Sequence, residues 1–65
     1  MSKDEFNTLT EELKKMIDEF LGEVEVLSTF EHGYKAAGKR ARALARELKN
    51  KKLGEWIKAS VEVTR

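Results

Sequence analysis

An all-α fold, two amphipathic helices joined as an antiparallel hairpin, is predicted by three observations. The 65 residues contain no proline, 38% of them are charged and β-branched residues are few, a composition that favours long helices over sheet. Apolar residues recur at steps of three and four through both halves. His32-Gly33 interrupts that pattern near the middle and leaves only a short connection, which suits antiparallel neighbours. No repeat, linker or low-complexity tract divides the chain, so residues 1–65 read as one helical domain. At this size the core is thin, and without cysteine no disulfide reinforces it. Dimerisation into a helical bundle is the expected extra source of stability.

The first helix starts at Met1-Ser2-Lys3-Asp4-Glu5-Phe6, where Ser2 can cap, Glu5 can reach back as a capping box and Met1 can staple against Phe6. Thr8 with Glu11 is a competing start. Phe6, Leu9, Leu13, Met16, Phe20 and Leu27, with Ile17 and Val24 beside them, draw one apolar stripe to about Phe30. Gly33 is expected to close this helix in a left-handed, Schellman-type end.

The second helix opens near Tyr34, with Tyr34, Ala37, Ala41, Leu44 and Leu48 in strict three-four register. Its inner line is small, with Gly38 and Ala45 beside it, so the bulky first helix can approach closely. The register breaks at Asn50-Lys51-Lys52, and Leu53, Trp56, Ile57 and Val61 resume it out of phase. The helix therefore either continues with a shifted face, bent near Asn50–Gly54, or kinks into a short third helix; the shifted continuation is favoured.

The net charge of +1 is a cancellation. Residues 1–32 hold three lysines against nine acids, net −6, and residues 33–65 hold ten Lys/Arg against three glutamates, net +7. On a heptad grid the acidic doublets Asp4-Glu5, Glu11-Glu12 and Asp18-Glu19 lie outside the first helix. Lys35, Lys39, Arg42, Arg46 and Lys49 lie farthest from the seam of the second, flanked by Arg40 and followed by Lys52. From Lys35 to Lys49 the line extends about 20 Å at 1.5 Å per residue, long enough to meet several phosphates of a duplex. A solvating face usually mixes signs to gain i,i+4 pairs, whereas Glu47 is the only acid between Lys35 and Lys52. The acidic doublets divide in the same way between solvation and docking of a basic partner.

Other chemistry is sparse. His32 is the single histidine and has no cysteine partner, so no metal or cofactor is expected. No nucleophile has a plausible base, so no enzyme and no small-molecule substrate are expected. Trp56 could stack on a base but sits among Leu53, Ile57 and Val61, which favours a core or dimer-interface place. No apolar run reaches the ~20 residues that cross a bilayer. Met1-Ser2-Lys3-Asp4-Glu5 lacks signal-peptide features, so a cytoplasmic protein with no membrane partner is expected.

Gly33-Tyr34-Lys35-Ala36-Ala37-Gly38-Lys39-Arg40-Ala41-Arg42, followed by Leu44, Glu47-Leu48-Lys49 and Trp56-Ile57-Lys58-Ala59-Ser60-Val61, resembles the chlamydial-type bacterial histone-like family. The resemblance covers about half of the chain. It implies a small helical protein that binds and compacts DNA with little sequence preference, with Lys35, Arg40 and Arg42 as the motif's basic positions. The first helix matches only in being acidic and amphipathic. Asn50-Lys51-Lys52 departs from the family's continuous helix, and no long Lys/Ala/Pro-rich tail is present in this sequence. The resulting expectation is a nucleoid-associated, histone-like protein that contacts the backbone of double-stranded DNA through Lys35, Lys39, Arg40, Arg42, Arg46, Lys49 and Lys52, with RNA as an open second ligand. The rival is a helical oligomerisation or adaptor module that recruits protein partners through its charged faces.

Overall fold

The computed structural model describes residues 2–65. It is helical throughout, with α1 over Lys3–Thr29, α2 over Tyr34–Glu47 and α3 over Leu53–Val63. A π turn, Leu48–Lys52, joins α2 to α3, so two helical arms are linked at Phe30–Gly33.

Local chemistry places the ends of α1. Ser2 is extended and its hydroxyl accepts the Glu5 amide at 3.1 Å, while the same hydroxyl donates to the Glu5 carboxylate at 3.2 Å. This is the start read from Ser2 and Glu5, and it satisfies a donor that the helix leaves open. The Met1 staple lies outside the described residues. At the other end the expectation is corrected. Phe30, not Gly33, takes the left-handed place after α1, with φ 53°, and its amide donates to the Leu27 carbonyl. Gly33 is also left-handed, φ 88°, but as the residue that opens α2, where its carbonyl accepts from the Ala37 amide at 3.0 Å. The connection therefore holds two left-handed residues, and one of them is bulky.

Contacts between the arms run in opposite order. Leu27 meets Gly38, Glu23 binds Arg40, Glu12 faces Lys52, and Thr10 and Phe6 hold Trp56. At Gly38 the arms pack tightly: a Cβ added there would lie 3.2 Å from Leu27 Cδ1. The small line of α2 makes this possible, and Ala37, Gly38 and Ala41 are buried. Farther along, Leu13, Leu48 and Ala59 complete the buried apolar set among the described residues.

The π turn explains the register break. Its widened ring is closed by the Leu53 amide donating to the Leu48 carbonyl, a five-residue step in place of the usual four. The extra residue rotates everything after it, so that Trp56, Ala59 and Val63 succeed Leu48 on the inner side. The shifted continuation is thus realised, with a correction to its face. Leu53, Ile57 and Val61 do not rejoin the seam but stand in solvent at 40, 58 and 49% exposure, a stripe at four-residue intervals along α3.

The molecule is a rod, 47 × 18 × 12 Å, with a radius of gyration of 14.5 Å. A compact chain of this length would have about 11 Å. The rod form gives α2 a long exposed outer face, and that face carries Lys35, Lys39, Arg42 and Arg46.

Candidate nucleic-acid interface

Seven cations follow from the sequence as candidate DNA contacts, and the structure divides them by flank. At about 100° per residue, Lys35, Lys39, Arg42, Arg46 and Lys49 fall within about an 80° sector of the second arm. All five are exposed, and none has an ion-pair partner among the described residues. The Arg42 guanidinium lies over Gly38, 3.4 Å from where a Cβ would stand, so the missing side chain leaves room for it.

Arg40 and Lys52 behave differently. The Arg40 Nε donates to Glu23 Oε2, across the gap between α1 and α2. Lys52, only 21% exposed, stands with its Nζ 3.6 Å from Glu12 Oε2. Both sit on the flank that α1 supplies with carboxylates. Heptad labels on each helix could not reveal these pairs, because they depend on how the two helices are rotated against each other. Lys51, outside the seven, is also exposed on the π turn.

The acidic side of the molecule forms a cleft of about 680 Å³ between the start of α1 and α3. Asp4, Glu5, Glu12, Glu55 and Glu62 line it together with one cation, Lys58, and Leu9 and Ala59 are its apolar part. Trp56 is not available to stack on a base. Its ring is half-buried beside Phe6, centroids 5.7 Å apart, and its Nε1 donates to Thr10 Oγ1 at 2.9 Å. His32 is exposed in the connection. Among the described residues no three His, Cys, Asp or Glu side chains converge as a metal site requires. No helix among them is long and apolar enough to cross a membrane.

An exposed row of like charges without counter-charges is a feature that solvation alone does not require, since mixed signs solvate equally well. The five cations are spread over about 20 Å of helix.

Comparison with known families agrees with this chemistry. The family described as histone H1-like protein Hc1 matches residues 7–53, which spans nearly all of α1, all of α2 and the π turn. The first helix therefore belongs to the family's pattern, beyond the acidic and amphipathic character visible in its residues, whereas Trp56–Val61 lies past the matched span. No curated protein and no solved structure matches the chain. With most of its length, nearly all of α1, all of α2 and the basic line inside the match, the chain belongs to the histone H1-like Hc1 family, a family of DNA-binding chromatin proteins rather than of enzymes.

Proposed function

We propose that this protein is a non-enzymatic, nucleoid-associated component of the cytoplasm. In this reading an antiparallel helical hairpin binds the phosphate backbone of double-stranded DNA with little sequence selectivity and compacts it. The observation that carries the reading is the unpaired row Lys35, Lys39, Arg42, Arg46 and Lys49. Lys and Arg on an outer helix face reach phosphates more readily than base edges, so register on the duplex is loosely set. Compaction needs more than one DNA-binding face per particle. The Leu53, Ile57 and Val61 stripe, together with the slender core, supports a homodimer that would supply a second face.

The salt dependence of affinity tests this. Five neutralised phosphates predict a slope of log K against log salt of about −4.5 on random-sequence duplex. Engagement of Arg40 and Lys52 as well would steepen it to about −6. A salt-insensitive affinity, or no binding at about 100 to 150 mM salt, would remove the reading. Duplex RNA titrated in parallel separates a DNA-selective protein from a general polyanion binder, because A-form geometry changes the spacing of phosphates.

A second reading rests on the acid-rimmed cleft between α1 and α3, whose apolar floor and carboxylates suit a basic segment of a protein partner. In that case a Lys/Arg-rich peptide would bind the folded chain, and reversing Asp4, Glu5 and Glu12 to Lys would abolish that binding while leaving duplex affinity undiminished.

A further inference from the structure

We propose that Phe30 is an apolar wedge that inserts against a base step of the duplex held by the basic line. The inference rests on backbone binding through that line and adds a contact to the bases themselves.

Phe30 is the most exposed of the large apolar side chains among the described residues, at 72%. Its backbone is left-handed, φ 53° and ψ 27°, where glycine or asparagine is the usual occupant. Neither local conformational preference nor burial therefore selects phenylalanine here. The ring is nevertheless held in place. It lies 5.6 Å from the Tyr34 ring, centroid to centroid and tilted by 59°, and Tyr34 is half-buried at the start of α2. Behind it the Thr29 hydroxyl donates to the Val26 carbonyl and accepts the Glu31 amide at 3.2 Å, which steadies the turn.

Position decides what such a ring meets. Phe30 stands at the end of the rod from which the basic row starts, with Lys35 immediately after its brace Tyr34. Whatever the row holds by its phosphates, the tip meets at the adjoining groove, and the apolar surface there is the face of a base pair. Glu31, exposed beside Phe30, weakens the tip's attraction for phosphate. Ring contact rather than ion pairing must then hold the tip on DNA. Apolar side chains inserted at a base step unstack it and kink the duplex, and the cost is lowest where pairing is already lost.

The test compares a fully paired duplex with the same duplex carrying a two-base mismatch bubble, by fluorescence anisotropy at one salt concentration. The wild-type chain should bind the bubble about tenfold more tightly. Phe30→Ala should lose that preference while its salt slope is unchanged, because the phosphate contacts of the basic line remain, and Phe30→Trp should keep the preference. Thermal melting by circular dichroism confirms that each variant is folded. Equal binding of both DNAs by the wild type, or an undiminished preference in Phe30→Ala, overturns the wedge and leaves backbone binding standing. Failure of the wild type to bind either DNA removes both.

Discussion

One flank of the second arm carries Arg40 and Lys52, and each reaches a carboxylate of α1; the other flank carries Lys35, Lys39, Arg42, Arg46 and Lys49, and each reaches solvent. The residue types are the same and the positions interleave along the chain. What differs is azimuth. Where α1 presents Glu12 and Glu23, a cation is compensated within the fold, and a phosphate would have to compete for it. Where α1 presents no acid within reach, the charge is left for an outside partner. Net charge by region therefore overstates the interface, and the rotation of one helix against the other sets its width.

Breaking the free flank should have the largest effect. Reversing Lys39, Arg42 and Arg46 to Glu replaces three attractive phosphate contacts with three repulsive ones, and duplex affinity should fall by more than about 100-fold at low salt. Anisotropy measures this, with circular dichroism to confirm that the exposed substitutions leave the helices intact. A loss under threefold would mean that the row is a solvated face.

The scaffold comes next. Gly38→Val introduces branching where even a Cβ stands 3.2 Å from Leu27, and it also crowds the Arg42 guanidinium. Overpacking of this kind costs about 1 to 3 kcal/mol, which for so small a domain should lower the melting temperature by several degrees or more. Binding should weaken in step with the loss of folded protein. Gly22→Ala is the matched control, since nothing lies within 4 Å of the added methyl. It should be neutral or stabilising, by up to about 1 kcal/mol.

Changes on the paired flank should be smaller. Arg40→Ala and Lys52→Ala each remove one pair, and exposed pairs are worth about 0.2 to 1 kcal/mol. Duplex affinity should drop by less than about threefold per variant. A larger drop for Lys52 than for Arg40 would mean that DNA displaces Glu12 from Lys52, and the salt slope would then be about −5.4 rather than −4.5. The smallest effect should come from Phe30→Gly. Relief of a left-handed bulky residue offsets the loss of the ring contact with Tyr34, so stability in a thermal melt should change by less than about 1 kcal/mol.

The legible parts of the fold are those fixed within a few residues. Ser2 and Glu5 mark the helix start because capping is a local hydrogen-bond exchange. The small line at Ala37, Gly38 and Ala41 implies close approach, and in the structure all three are buried with Leu27 packed against Gly38. The slip at Asn50-Lys51-Lys52 was visible as a change of phase. Its realisation as a π turn was not, because one inserted residue can be absorbed by a kink, a loop or a widened ring, and packing chooses among them. For the same reason the shift of phase alone leaves Leu53, Ile57 and Val61 open between core and dimer interface, and the structure excludes only the core, since all three stand in solvent. The left-handed place of Phe30 is equally hidden, since a glycine in the connection between two helices can close the first or open the second.

By itself the amino-acid sequence determined that the chain is helical, where α1 starts, that the inner line of α2 is small and that five cations share one outer sector. Each of these depends on spacing along a single helix, where the period of 3.6 residues fixes direction. Only the tertiary structure decided that Arg40 and Lys52 are compensated, that Trp56 is tied to Thr10 and that the flank of α3 is open. Those outcomes depend on the rotation and separation of two helices, which no periodicity within either one contains.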